Sequence, residues 1–204
     1  MEAGQRQKRA SPLEEPKTYD KERIQMEYLD IINANIRQVS PAWDEAVGRL
    51  IHIFLEAREH GKSVYFIGNG GSAGIAVHMA ADFQKTGGFR TRTFYDPALI
   101  TCMANDYGYE YVFSKPLELY AEPGDVLVAI SSSGNSMNII NAAKTAGEHH
   151  CKVVTLTGFS ANNTLHSMGD LNIHVPSFAY GVVESLHNLM LQQVMDEIEA
   201  GRTE

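Results

Sequence analysis

Two short motifs in the sequence concentrate groups that can bind an anion. The first is GNGGS at residues 68–72, and the second is SSSGNS at residues 131–136; each follows an apolar run. A phosphate monoester dianion needs several hydrogen-bond donors at once, and serine hydroxyls together with a helix N-terminus supply them. Ser136 or Asn135 could instead simply cap the next helix, but capping requires one such side chain and not four serines. The second motif therefore predicts a phosphate site.

A histidine and a carboxylate follow the first motif. His78 and Asp82 are four residues apart, so they share one face of a helix that begins at the glycine loop. Such a pair is more often a surface or capped pair, but the glycine loop directly upstream favours a functional role. An imidazole beside a carboxylate can transfer protons or bind a divalent metal.

The first motif also matches a dinucleotide fingerprint, and this alternative has to be weighed. Gly68, Gly70 and Ala73 satisfy G-x-G-x-x-[GA], and Asp96 stands where an acid could bind a ribose. The fingerprint is weak by itself. Two amphipathic helices precede its strand, and a dinucleotide fold does not require the serine motif. We therefore expect no nucleotide cofactor.

Composition and charge restrict the class of protein. A formal net charge of −8 argues against a nucleic-acid partner, which would require a basic face. Cys102 and Cys151 form neither a disulfide framework nor a C-x-x-C metal pattern, which favours a reducing, cytoplasmic compartment. No apolar run is long enough to span a membrane. Residues 1–18 mix charge with proline and are predicted to be a flexible tail without a secretory signal.

Hydrophobic periodicity predicts an α/β fold. Two amphipathic helices come first, the second opened by Pro41 and closed by Gly61. Strands and helices then alternate, which predicts a parallel sheet covered by helices on both faces. The predicted strands span 63–68, 91–96, 125–130, 152–157 and 171–175. The helices between them are expected near 73–84, 97–104, 110–120, 136–148 and 162–168, followed by a last helix at 180–199.

Five segments together resemble one family. GNGGSA with the following histidine and aspartate, ANDYGYEYVFSKPLE, GDVLVAISSSGNSMNIINAA, VVTLTG and VPSFAYGVVESLH resemble, in order and spacing, the sugar isomerase (SIS) family, particularly its phosphoheptose isomerase branch. The resemblance implies a single Rossmann-like domain over residues 19–200 with a five-stranded parallel sheet. It also implies a homotetramer with active sites between subunits, and interconversion of sedoheptulose 7-phosphate and D-glycero-D-manno-heptose 7-phosphate.

The resemblance further assigns substrate contacts. It implies that Asn69 lines the sugar pocket and that Asp106 contacts the sugar from a loop. The phosphate would be bound by five serines: Ser72, Ser131, Ser132, Ser133 and Ser136.

This chain departs from the branch where the chemistry is expected. The isomerases carry a His and a Glu on the helix after the glycine loop and a Gln and a His on the last helix, and these four bind zinc in some members. Here His78 is kept, but Asp82, Glu184 and Gln192 replace the other three. Asp is one methylene shorter than Glu, and a glutamine cannot act as an acid.

Two accounts follow from these departures. In the first, Glu184 is the base, Asp82 is a second carboxylate or metal ligand, and His78 or His187 is the acid; His78, Asp82, Glu184 and Gln192 form a site for zinc or another divalent ion. In the second, the chain binds phosphosugars without turning them over. The family includes such regulatory members, one of which assembles on a bacterial replication initiator.

Overall fold

The structure is a computed structural model and describes residues 21–201. The predicted tail, residues 1–18, lies outside the described residues. Helix α1 spans Lys21–Glu59 and is followed by β1 (Ser63–Gly68), α2 (Gly71–Lys85) and β2 (Arg90–Arg92). Then come α3 (Pro97–Tyr107), a 3-10 turn (Tyr109–Tyr111), α4 (Ser114–Tyr120), β3 (Val126–Ser131) and α5 (Met137–Glu148). The chain continues through β4 (Lys152–Gly158), a 3-10 turn (Leu165–Ser167), β5 (Leu171–Val175) and α6 (Tyr180–Ala200).

The sheet is parallel throughout and has the order β2-β1-β3-β4-β5. The expected five-stranded parallel sheet is therefore confirmed. Strand order reverses between β1 and β3, and ligands of open α/β sheets bind at such a switch point, outside the carboxyl ends of the strands. Gly68 pairs with Ile130, so both strands end at the same level and the loops after them begin side by side.

Helices cover both faces of the sheet. On one face α1, α2 and α6 pack on the sheet around Phe54, Phe66 and Phe83, and on the other α3, α4 and α5 pack around Tyr65, Phe113 and Ile139. Strand β3 is buried along its whole length, as expected for a central strand covered on both faces. The carboxyl end of the sheet, which carries both motifs, is therefore supported by a core on each side.

The N-terminal region differs from prediction. The two expected helices form one helix of 39 residues with Pro41 inside it. Proline has no N–H, so the carbonyl of Arg37 loses one helical hydrogen bond. Ile32 precedes Pro41 and Trp43 follows it, yet both pack on the same cluster around Val183. We attribute the continuity of the helix to this shared packing, which offsets the lost bond.

Two other differences are smaller. The strand expected at 91–96 is shortened to β2, because Asp96 leaves the sheet to cap α3 by accepting a hydrogen bond from the Leu99 N–H (3.0 Å). The helix expected at 162–168 is a single 3-10 turn. Among the described residues, no helix is long and apolar enough to cross a bilayer.

Candidate phosphosugar site

The two motifs line one cavity at the switch point. Its volume is about 270 Å³, and its lining comprises Asn69, Gly70, Gly71, Ser72, Ile130, Ser131, Ser132, Ser133, Ser136, Tyr180 and Glu184. Of the seven predicted substrate contacts, all except Asp106 are in this lining. Among these lining residues Glu184 is the only one with a formal charge, so the cavity offers an anion neutral donors and no lysine or arginine. We refer to it as the serine pocket.

The backbone of the glycine loop is compact. A Cβ at Gly68 would lie 2.6 Å from the backbone carbonyl atoms of Ser72, so no other residue fits there without movement of the loop. Gly70 has φ +56°, in the left-handed region that glycine tolerates best. The loop therefore turns tightly enough to bring the first residues of α2 to the end of β1.

Three helix N-termini meet at the pocket, and none is capped by a side chain. Helices α2, α5 and α6 begin after Gly70, Ser136 and Ala179, and no side-chain hydrogen bond caps any of them. The alternative in which Ser136 simply caps α5 is therefore not what the structure shows. Uncapped N-termini present free N–H groups and the positive ends of helix dipoles, which attract an anion.

The serine hydroxyls are oriented by the loop that carries them. The Ser131 hydroxyl oxygen accepts from the Gly134 N–H (3.2 Å), and the Ser133 oxygen accepts from the Asn135 N–H (3.3 Å). Because these oxygens accept from backbone donors, their own protons remain available for another acceptor. The Ser132 hydroxyl is buried and has no hydrogen-bond partner among the described residues. A phosphate oxygen is the kind of acceptor that would satisfy these donors.

Glu184 reaches the pocket from the first turns of α6. A Cβ added at Gly71 would lie 2.6 Å from the Glu184 Cδ, so the carboxylate occupies the space that a side chain at the start of α2 would take. The absence of a side chain at Gly71 thus admits a carboxylate from a distant segment. No spacing in the sequence indicates this contact.

The remaining predicted ligands meet further along the same two helices. His78 Nε2 lies 3.1 Å from Asp82 Oδ2, and the Gln192 amide lies 3.5 Å from the same oxygen. His78 is exposed and Asp82 is partly buried. This triple places an imidazole, a carboxylate and an amide together at the surface of the α2–α6 interface.

Glu184 does not join that triple within the chain. Gly71, which Glu184 contacts, lies eleven residues before Asp82 on α2, a rise of roughly 16 Å along the helix axis. Glu184 itself lies eight residues before Gln192 on α6, a rise of roughly 12 Å. Among the described residues, no group of three His, Cys, Asp or Glu side chains is placed to hold a metal. The expected four-ligand set therefore appears in one chain as three neighbouring groups, with Glu184 apart.

Two predicted site residues lie elsewhere. His187 is 1% exposed, and its Nε2 donates to the Thr157 carbonyl (3.0 Å), while burial lowers its pKa to about 4. It is a neutral core side chain, and the expectation that it acts as the acid is wrong for this geometry. Asp106 is exposed in the last turn of α3, accepts from the Asn105 amide (2.8 Å) and does not line the serine pocket.

Several polar residues at the site were missed by the sequence analysis. Tyr95 donates to the Gly68 carbonyl (2.8 Å) and accepts from the Gly68 N–H (2.7 Å), and burial raises the pKa of this phenol. Asn138 and Tyr109 bond to Asn69, and Tyr180 lines the pocket. Tyr95, Tyr109 and Asn138 reach the glycine loop from 27 to 69 residues away, so no local pattern marks them.

Comparison with known proteins identifies the family to which the chain belongs. A family model described as the SIS domain matches residues 27–158. The phosphoheptose isomerase of Shewanella denitrificans is 34% identical over 186 residues, covering 87% of this chain and 94% of that protein. The phosphoheptose isomerase of Proteus mirabilis is 37% identical over 165 residues, covering 76% and 85%.

Solved structures agree with this assignment. A phosphoheptose isomerase from Neisseria gonorrhoeae has a TM-score of 0.79 at 30% identity and covers 88% of this chain and 98% of that one. A phosphoheptose isomerase from Francisella tularensis has a TM-score of 0.83 at 26% identity and covers 90% and 100%. The chain therefore belongs to the SIS domain family.

Proposed function

We propose that this protein is a phosphoheptose isomerase that interconverts sedoheptulose 7-phosphate and D-glycero-D-manno-heptose 7-phosphate. The observation that carries the proposal is the serine pocket, where three uncapped helix N-termini and oriented hydroxyls adjoin a carboxylate. Its relatives at 34% and 37% identity are phosphoheptose isomerases, which supports the same substrate class here.

The pocket suits the phosphate end of such a substrate. Ser131, Ser132 and Ser133 offer hydroxyl protons, and the N–H groups at the start of α2 and α5 add backbone donors. Hydrogen bonds to a charged acceptor contribute about 1.5–3 kcal/mol each, so a few of them hold a dianion without a cationic side chain. Fixing one end of the sugar orients the rest for reaction.

The chemistry requires a base and an acid near C1 and C2. Aldose–ketose isomerisation moves a proton between adjacent carbons through an enediol, while a second group serves the oxygens. We assign the base to Glu184, the carboxylate in the pocket lining, and this assignment requires that C1 and C2 of the bound sugar reach it. With His187 buried in the core, His78 is the remaining predicted imidazole and our candidate for the acid, and Asp82 Oδ2 lies 3.1 Å from its Nε2.

A divalent cation such as zinc also fits part of the predicted ligand set. His78 and Asp82 would supply a nitrogen and a carboxylate, and Gln192, whose Nε2 faces Asp82 in the structure, would supply its oxygen after rotation of the amide. When bound, such an ion would polarise a carbonyl oxygen. Within one chain Glu184 lies apart from these three residues, so the ion and Glu184 would act on one substrate only if they belong to different subunits.

We further propose a homotetramer in the cytoplasm. Several large apolar side chains are exposed, including Tyr180 (61%), which lines the serine pocket, Phe178 (76%), two residues before it, and Leu29 (57%) on α1. Burial of such side chains against another copy would place subunit borders at the active site. Light scattering of the purified protein should give four times the mass of the chain, and cell fractionation tests the compartment.

The decisive experiment follows solvent exchange. Purified protein incubated with sedoheptulose 7-phosphate in D₂O should incorporate deuterium at C1 or C2, detected by proton NMR. Glu184→Gln should abolish exchange but retain sugar-phosphate binding in calorimetry, because the amide is isosteric and cannot accept the proton. Full activity in this variant would move the base to Asp82.

A non-catalytic phosphosugar-binding protein is the second candidate. Gln192 stands where the branch has a proton-transferring histidine, and its amide contacts Asp82 (3.5 Å). Tight binding of sedoheptulose 7-phosphate with no deuterium incorporation, in the presence and absence of zinc, would select this function over the enzyme.

A further inference from the structure

Asn69, the residue between β1 and the glycine turn, belongs to a chain of hydrogen bonds. Its Oδ1 accepts from Asn138 Nδ2 (2.9 Å) and from the Tyr109 hydroxyl (3.1 Å), while its Nδ2 donates to Asn138 Oδ1 (2.9 Å). The two amides thus form a reciprocal pair, and Tyr109 adds a third bond. Asn69 lines the serine pocket and also a second cavity of about 600 Å³ beside it.

One backbone donor fixes the direction of every hydrogen bond among Asn69, Asn138 and Tyr109. The Ile139 N–H, shared with the Ser136 carbonyl (3.0 Å), donates to Asn138 Oδ1 (3.1 Å). A backbone N–H can only donate, so this atom of Asn138 is the oxygen. The atom of Asn69 that faces it must then be the nitrogen, and the Asn69 oxygen must face Tyr109, whose hydroxyl donates.

This direction determines what Asn69 offers to a ligand. Its oxygen already accepts two hydrogen bonds, and one of its two N–H groups donates to Asn138. The second N–H remains for the cleft. We propose that Tyr109 is a positioning residue that holds the Asn69 amide so that its N–H, and not its carbonyl, faces the substrate. The inference rests on the proposed function only for its kinetic readout.

The chemical consequence is selectivity for an electron-rich oxygen. Phosphate oxygens and an enediolate oxygen carry negative charge and accept from an N–H, whereas a reversed amide would repel them. Each bond in the chain polarises the next, so donation by Tyr109 to the Asn69 oxygen strengthens the N–H at its other end. Loss of the Tyr109 hydroxyl should weaken both the orientation and the polarity of the donor.

A double-mutant cycle separates positioning from a structural role. Tyr109→Phe should lower kcat/KM by roughly 5- to 10-fold, the effect of about one hydrogen bond. In an Asn69→Ala background the same change should alter kcat/KM less than about twofold, because the hydroxyl acts through Asn69. Tyr107→Phe is the matched control: Tyr107 is an exposed tyrosine two residues away that lines neither cavity, and its variant should behave as wild type.

Two results would overturn the proposal: Tyr109→Phe with wild-type kinetics, or the same loss in both backgrounds. If Asn69→Ala does not fold, Asn69→Ser serves as the second background with the same two criteria. If the wild-type protein shows no turnover, the proposed function fails and the cycle is run on the Kd for sedoheptulose 7-phosphate measured by calorimetry. A roughly 5- to 10-fold weaker Kd for Tyr109→Phe, reduced to less than about twofold in the Asn69→Ala background, would support positioning by Tyr109. An equal loss of affinity in both backgrounds would exclude it.

Discussion

The contact between Gly71 and Glu184 gives the most specific prediction about catalysis. In Gly71→Ala, the new Cβ would lie 2.6 Å from the Glu184 Cδ. Non-bonded carbon atoms prefer about 3.5–4.0 Å, so the carboxylate must move by about 1 Å. A displacement of this size in a catalytic group costs about 100-fold in rate, or about 2.7 kcal/mol in the barrier.

The fold should tolerate this change, which makes the loss interpretable. The clashing atoms belong to the end of a flexible side chain, and alanine favours a helix more than glycine does. We therefore expect kcat to fall about 100-fold while the melting temperature does not fall. Steady-state kinetics with sedoheptulose 7-phosphate and a thermal melt measure both quantities.

Gly74→Ala is the matched control, because Gly74 lies on the same helix and an added Cβ meets nothing within 4 Å. It should raise the free energy of unfolding by up to about 1 kcal/mol and leave kcat unchanged. Wild-type kcat in Gly71→Ala would refute the assignment of Glu184 as a base held by close packing. An equal loss in Gly74→Ala would refute the steric argument.

Three further predictions concern the phosphate, the buried histidine and the metal. The double variant Ser131→Ala/Ser133→Ala should weaken sugar-phosphate binding by about 3 kcal/mol or more, the effect of two charge-assisted hydrogen bonds. Calorimetry measures this affinity, with Ser167→Ala as the control. Unchanged affinity in the double variant would show that the two serine hydroxyls do not bind the phosphate. His187 has its pKa lowered by burial from 6.5 to about 4, so between these pH values the unfolded chain binds a proton that the folded chain does not. The contribution of His187 to the free energy of unfolding should fall by about 3 kcal/mol as the pH drops from 6.5 to 4 and be constant above that window. Urea unfolding of His187→Asn should lack this component, and an identical pH profile would contradict the assignment. Protein purified without chelator should contain close to one equivalent of divalent metal per chain by elemental analysis and Asp82→Asn much less, whereas less than a tenth of an equivalent in the wild type would favour a metal-free site.

The fold was predictable because each element carries its own signal. Strands β1, β4 and β5 begin where the apolar runs begin, and the fully apolar run of β3 indicated a strand covered on both faces. The exceptions have tertiary causes. Helix α1 continues through Pro41 because packing on both sides of the proline supports it, and a local rule cannot include that contribution.

The serine and glycine motifs were also recognisable in the sequence, since a run of serines and a run of glycines are properties of consecutive residues. Residue types and spacing likewise paired His78 with Asp82 on one helix face. Other outcomes depended on contacts between distant segments. The burial of His187, the separation of Glu184 from Asp82 and the hydrogen bonds of Asn69 required the packing of α6, α5 and the 3-10 turn around the sheet.

By itself, the sequence determined the alternation of strands and helices, the two motifs and the residue types at the site, because backbone preference, hydrophobic period and donor chemistry are local. Only the tertiary structure decided which carboxylate faces the serine pocket, which histidine lies in the core and in which direction the amide of Asn69 is held. Those properties arise from distances between residues far apart in the chain, and such distances are set by how the helices pack on the sheet.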